Sequence, residues 1–405
     1  MLPPICYSKF TNKLYIGGIF MKKSFSKLLA LVLVGVMVLS LAACGNKTKT
    51  TDTSETAGGT TKEKTEDTKK DTKQEVKTGG KIGVAMPTKD LQRWNQDGAN
   101  MKKDLEAAGY EVDIQYANNE IATQVSQIEN LITNGCNALV IASINGDSLG
   151  TVLAKAKEAN IPVIAYDRLI MGTNAVSYYA TFDNYIVGKI QGEFIRDALD
   201  LEKAAGPFNI ELFTGSPDDN NVRYFFGGAM DVLQPYIDNG KLKVVSGQTK
   251  LEEVATLNWS TEEAQKRMEN IITAYYADGT KLDAVLSSND SVANGITNAL
   301  LSAGYTAENF PVLTGQDCDV TAVKNIMAGT QSMSIFKDTR TLASKVVLMV
   351  DAILQGKEVP VTDTESYNNG TGIIPTFICD PVFADKDNYK KLLIDTGYYT
   401  IEQLQ

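Results

Sequence analysis

The chain contains no histidine. That absence removes Ser-His-Asp and Cys-His nucleophilic catalysis, histidine general bases and histidine-ligated metal sites together. No GxxxxGK(S/T) or GxGxxG phosphate loop stands at a strand end, and no calcium loop of the D-x-(D/N)-x-(D/N)-G-x5-E form occurs. The five cysteines include no CxxC pair or other metal-ligand spacing. Nothing in the sequence calls for a cofactor or a metal. Positive charge is not in excess: 39 Lys and Arg against 49 Asp and Glu give a formal charge of −10. Such a chain is a poor nucleic-acid binder, because neutralising phosphates needs a basic face. What is present is 405 residues of globular composition, 43% hydrophobic and 22% charged, enough for two or three domains. Two function classes survive: a binding protein, or an enzyme that works with carboxylates alone.

The first 80 residues read as address and tether. From Met21, Lys22, Lys23 and Lys27 form a positive start, 28–39 is an apolar run of 12 residues, and Leu41-Ala42-Ala43-Cys44-Gly45 follows. The run suits a signal peptide and is too short to span a bilayer. The closing segment resembles a bacterial lipoprotein signal, in which Cys44 is acylated and becomes the new N-terminus; an ordinary secretory peptide is the plainer alternative. Residues 1–20 precede the better start at Met21 and read as an upstream extension. The stretch 45–80 is Thr, Lys, Glu, Asp and Gly, with Ala57 and Val76 as its apolar residues. It cannot bury enough surface to offset chain entropy, so a disordered stalk is expected. Lipid on Cys44 would leave Cys136, Cys318 and Cys379, an odd number, and no disulfide framework is predicted.

From Lys81 onward strand and helix alternate. Strands are predicted over 81–86, 111–116, 138–142, 162–166 and 178–182, with helices over 94–108, 122–133 and 148–159. The pattern then restarts: strands over 208–213, 242–245, 284–287, 312–314 and 333–336, and helices over 222–236, 260–275, 291–303 and 339–354. This spacing implies an α/β fold with parallel sheets flanked by helices. About 325 residues exceed what one core usually encloses, so two α/β lobes are expected.

In open α/β sheets ligands sit beyond the carboxyl ends of the strands. The residues there are unusually polar and aromatic: Thr88 to Trp94, Asp167-Arg168, Gly215 to Asn221, Asn289-Asp290, Gly315-Gln316-Asp317 and Lys337-Asp338. Carboxylates, amides, Arg and Lys supply planar, often bidentate partners for hydroxyl groups. The two tryptophans, Trp94 and Trp259, can cover the C–H faces of a pyranose while polar side chains serve its rim. The set suits a neutral sugar better than a nucleotide.

The segments AMPTKDLQRW (85–94), SQIENLITNG (126–135), VIAYDRLI (163–170), YYATFDN (178–184), GSPDDNN (215–221), SGQ (246–248), LSSNDS (286–291), TGQDCD (314–319) and IFKDTR (335–340) resemble the bacterial sugar-binding proteins of ABC importers. Within that group the chain is most similar to the xylose-binding and multiple-sugar-binding (ChvE-like) receptors, in order from Lys81 to the closing DTGYYTIEQL (395–404). The resemblance implies a type I periplasmic-binding-protein fold: two Rossmann-like lobes joined by three crossing strands, with sugar closing the cleft. The first lobe would take 81–184 and 336–355, the second 185–335 and 356–405. By matching motif, Lys89, Arg93, Trp94, Asp167 and Arg168 would line the first lobe, and Asp219, Asn221, Trp259, Asn289 and Asp317 the second, with Lys337 by the hinge. Between Lys89 and Arg93 the family carries small residues, where this chain has Asp90, Leu91 and Gln92.

Each assignment has a plainer rival. Trp94 also reads as a helix-start core residue, Asp219 and Asn221 as helix caps, Asp167-Arg168 as a surface ion pair, and Lys337-Asp338 as a solvated helix start. Tyr224-Phe225-Phe226 are expected in lobe core or cleft wall. The leading functional expectation is a monomeric, non-enzymatic receptor outside the membrane, anchored by lipid on Cys44. It would capture an aldose such as xylose, glucose, galactose or arabinose and deliver it to an ABC permease. A sensor handing the sugar-bound state to a sensor kinase or chemoreceptor is an alternative. So is a secreted carbohydrate-active enzyme using Asp167 and Asp219. Against the enzyme, Arg and Lys neighbours are expected to keep these carboxylates ionised.

Overall fold

The structure is a computed structural model and describes residues 79–405. The extension 1–20, the signal peptide with Cys44, and the tether up to residue 78 lie outside the described residues.

The first sheet is built from strands with the order β11-β5-β4-β3-β1-β2. β1 is Lys81–Met86, β2 Glu111–Tyr116, β3 Ala138–Ile141, β4 Val163–Tyr166, β5 Tyr178–Phe182 and β11 Thr376–Cys379. All pairings in it are parallel. Parallel strands are covered on both faces, and the side chains divide accordingly. Ile82, Val84, Ala138 and Val140 join one core with helices α1 (Gln92–Ala107) and α10 (Thr339–Leu354). Ala85, Leu139 and Ile141 join another with α2 (Ile121–Thr133) and α3 (Gly150–Glu158).

The second sheet has the order β7-β6-β8-β9, also parallel. Its strands are β6 (Phe208–Phe213), β7 (Leu242–Val244), β8 (Ala284–Ser287) and β9 (Val312–Leu313). Helices α4 (Asn184–Ala198) and α5 (Asn221–Asp238) cover one face. A short α6 (Leu251–Val254) precedes α7 (Thr261–Ile271), which packs with α8 (Asp290–Ser302) on the other. Then come α9 (Val320–Ala328) and an antiparallel ribbon of β10 (Met333–Phe336) and β12 (Val382–Asp385).

The chain passes between the lobes after β5, between β10 and α10, and between β11 and β12. The last passage corrects the expectation that 356–405 belongs with the second lobe. Thr376–Cys379 pairs with Tyr179–Phe182 and extends the first sheet. Without it β5 would present an open edge. Helices α4 and α9 and strands β11 and β12 were not expected from the sequence. Cys136, Cys318 and Cys379 are buried and unpaired. Among the described residues no helix is long and apolar enough to cross a membrane, and no His, Cys, Asp and Glu cluster could hold a metal ion.

Candidate functional site

The carboxyl ends of the two sheets face one another, and the loops that leave them meet in a crevice. The loop after β1 is pinned before it enters α1. Asp90 N donates to Thr88 Oγ1 at 3.1 Å, and Asn95 Nδ2 donates to the carbonyls of Lys89 and Leu91 at 2.7 and 3.2 Å. This fixes Arg93 and Trp94 on the first turn of α1. Arg93 is 6% exposed and reaches three carboxylates: Asp97 through Nε at 3.0 Å, Asp167 through Nη2 at 2.5 Å and Asp317 through Nη1 at 3.4 Å. The Tyr166 hydroxyl donates to the other Asp97 oxygen, which holds Asp97 and through it the guanidinium. Arg168 Nε lies 2.8 Å from Asp219 Oδ2, a pair that spans the lobes. The Trp94 ring lies 5.3 Å from the Arg93 guanidinium carbon and 5.1 Å from that of Arg168, two cation–π contacts.

Second-lobe residues complete the wall. Trp259 packs edge-on against Phe225 with ring centres 6.1 Å apart. Its ring occupies the space beside Gly215, where a Cβ would fall 2.1 Å from it. Lys337 is 1% exposed and its Nζ lies 3.0 Å from Asp317 Oδ1. Asn289 caps α8, accepting from Val292 N at 3.0 Å. Three lining residues, Asp167, Trp259 and Asp317, have φ of 60°, 56° and 96°. Left-handed backbone is uncommon outside glycine and concentrates at functional sites.

Between these residues lies a cavity lined by Leu91, Arg93, Trp94, Asp167, Arg168 and Asp219 together with Phe225, Trp259, Asn289, Ser291, Gln316, Asp317, Asp319 and Lys337. Besides Arg168 Nε, which meets Asp219 as an ion pair only, three buried polar atoms on its wall have no hydrogen-bond partner within the protein: Trp259 Nε1, Gln316 Oε1 and Asp319 Oδ1. Each such atom costs about 1–3 kcal/mol unless something else bonds it.

Burial and charge tune the carboxylates differently. Burial works to raise Asp167, but Arg93, Lys337 and Arg168 hold it below the ordinary range. Burial raises Asp97 to about 6 against the pull of Arg93. Burial, with the Asp317 charge, raises Asp319 to about 7. Asp290, behind the wall, is pushed well up by burial and by Asp319 and Asp317. At Asp219 burial outweighs the pull of Arg168 and raises it.

Of the residues singled out in the sequence, Arg93, Trp94, Asp167, Arg168, Asp219, Trp259, Asn289, Asp317 and Lys337 line one cavity. Asn221 stands behind it, donating from Nδ2 to the Asp167 carbonyl at 2.8 Å and from N to Asp219 Oδ1 at 2.9 Å. Lys89 is exposed, outside the lining, with Nζ 4.9 Å from the Tyr116 ring centre. The plainer readings fare unevenly. Trp94 belongs to the first-lobe core as well as the cavity, and Asp338 does cap α10. Asp167-Arg168 and Lys337 are buried rather than solvated. Sequence reasoning missed Leu91, Ser291, Gln316 and Asp319. All four sit within two residues of one it named, at the strand-end loops or, for Ser291, just inside α8, which was the available signal.

The model of the periplasmic binding protein domain matches residues 82–358. The multiple sugar-binding periplasmic receptor ChvE of Rhizobium radiobacter is 51% identical over 328 residues, covering 80% of this chain and 92% of that protein. The D-xylose-binding periplasmic protein of Escherichia coli is 37% identical over 324 residues, with the same 80% and 92% coverage. An ABC transporter solute binding protein from Clostridium phytofermentans, solved with bound β-D-glucose, is 67% identical, covers 80% of this chain and 100% of its own, and superposes with a TM-score of 0.79. Every residue that lines the cavity falls inside the matched span, and the chain belongs to the periplasmic binding protein family.

Proposed function

We propose that this chain is an extracytoplasmic receptor that captures a monosaccharide aldose between its lobes and delivers it to an ABC importer. One observation carries the reading. The crevice sets Arg93, Arg168 and Lys337 against Asp167, Asp219 and Asp317, and leaves Trp259 Nε1, Gln316 Oε1 and Asp319 Oδ1 unpartnered beside two indoles. A site that pairs its cations with carboxylates and leaves other buried polar atoms unbonded suits a neutral polyol. The indoles of Trp94 and Trp259 would cover its C–H faces, and the carboxylates and guanidinium groups its hydroxyl rim. A site of this kind discriminates strongly, since a missing or misplaced hydroxyl leaves a buried partner unpaired. The sugar-binding relatives and the glucose-bound structure support the same ligand class.

Isothermal calorimetry with D-glucose, D-galactose, D-xylose, L-arabinose and D-ribose tests this. Saturable one-to-one binding of at least one is expected. Absence of heat with all five would overturn the reading. The LAAC motif ending in Cys44 supports membrane anchoring by lipid on that residue. Cys44→Ser should move the exported chain from the membrane to the soluble fraction. Continued membrane retention would argue against the anchor.

A further inference from the structure

A second, open groove of about 520 Å³ lies just outside the sugar cavity. Its wall is Asp90, Leu91, Asn118 and Asn119 from the first lobe and Asn258, Ser260, Thr261 and Glu262 from the second. No Lys or Arg lines it. Amides, hydroxyls and carboxylates without a cation suit sugar hydroxyls and repel anions. Leu91 is the one residue that lines both spaces. On the other side the division is made by two consecutive residues: Trp259 lines the cavity and Asn258 the groove, both in left-handed backbone at φ 56° and 54°. The Leu91 side chain packs against the cores of both lobes, so in this closed arrangement it bridges them at the boundary between cavity and groove. The backbone beneath it does not depend on that side chain, being held by Asn95 at the Lys89 and Leu91 carbonyls.

We propose that Leu91 is the chain-length gate of this receptor: its side chain limits the ligand to one sugar ring, and the groove beyond it is a latent subsite for the second ring of a neutral disaccharide. The gate is steric. An isobutyl group fills the passage through which a glycosidic bond would have to run. Truncating it to a methyl would join cavity and groove, and a second ring would find Asn118, Asn119, Asn258 and Glu262 around it. The surface loss is confined to a partly buried side chain, so the crevice beneath keeps its ion pairs.

The inference rests on the sugar-receptor reading, and the experiment separates the two. Purified full-length wild type and Leu91→Ala are titrated by calorimetry with D-glucose and D-xylose, and with cellobiose and xylobiose. Wild type should bind a monosaccharide and bind the matching disaccharide at least about 100-fold more weakly. Leu91→Ala should raise disaccharide affinity and so narrow that ratio at least about tenfold. Adding Glu262→Trp to Leu91→Ala fills the groove and should restore the wild-type ratio. The gate is overturned if wild type already accepts the disaccharide, if Leu91→Ala leaves the ratio unchanged, or if it loses both sugars together. Failure of wild type to bind any monosaccharide overturns the receptor reading itself.

Discussion

Asp319 lines the crevice with one carboxylate oxygen unpartnered and burial raising it to about 7. Asp317 and Asp290 face it with like charge, while Arg93 and Lys337 oppose them. An unfolded aspartate titrates near 3.9. The folded chain therefore holds this proton more tightly than the unfolded chain between roughly pH 4 and 7, and stability rises as pH falls through that window. Asp97, raised to about 6, acts in the same direction. Asp167 is shifted downward, so its contribution is lost only below its unfolded value and stays constant at neutral pH. Sugar-free protein should melt on the order of 2–5 °C higher at pH 5.5 than at pH 8 by calorimetry. Asp319→Asn should shrink that difference and raise the melting temperature at pH 8. A melting temperature that falls on acidification would contradict the assignment. At this scale the sequence was informative because strand-end residues carry the chemistry. Asp317 was legible in TGQDCD. Asp319, in the same hexapeptide, was not, since its role depends on a backbone turn at Asp317 and Cys318 with φ 96° and 51°.

Helix α4 shows why some elements escaped the sequence. Gly188 and Gly192 interrupt its apolar pattern and read as breakers. In the folded chain they are contact points. A Cβ on Gly188 would lie 1.8 Å from the Phe225 carbonyl oxygen, and one on Gly228 of α5 would lie 2.2 Å from that of Tyr185. The two backbones approach too closely for side chains, and the approach fixes α5, which carries Asn221 and Phe225 to the site. Gly227, next along α5, meets nothing within 4 Å. Gly188→Ala should cost about 2–3 kcal/mol in urea unfolding, through forced separation of the helices. Gly227→Ala should instead stabilise by about 0.5–1 kcal/mol through helix propensity. Equal effects at the two positions would refute close packing as the cause. Strands β11 and β12 escaped for another reason. Their pairing partners, β5 and β10, lie far away in sequence, so only tertiary context selects them. Helix α10, with a regular apolar face, was legible to the residue as 339–354.

On the scale of the whole molecule, the lobes meet through Leu91 and a small set of polar contacts. Arg93 reaches Asp317, Arg168 reaches Asp219, and Asn221 reaches the Asp167 carbonyl. Asn145 Nδ2 donates to Asp218 Oδ1 at 3.2 Å, and Gln92 takes Val320 N at 3.1 Å while donating to the Tyr399 hydroxyl at 2.7 Å. Buried ion pairs of this kind return little net stability, because both partners give up hydration. The two cross-lobe ion pairs therefore hold the lobes together weakly. Opening the cleft rehydrates them and also relieves Trp259 Nε1, Gln316 Oε1 and Asp319 Oδ1. A sugar reverses the balance by bonding those atoms in the closed form only, and a ligand shifts an equilibrium by no more than such differential contacts. Sugar-free protein should thus populate an open form. Small-angle scattering should give a radius of gyration smaller by on the order of 1 Å with saturating sugar, in the manner of hinge closure. Trp94 and Trp259 fluorescence should change over the same titration, and sugar at 100 times its Kd should add about 2.7 kcal/mol to unfolding. Sugar that binds by calorimetry without altering the scattering would mean that the lobes are already shut in its absence, and that the cross-lobe ion pairs suffice to hold them.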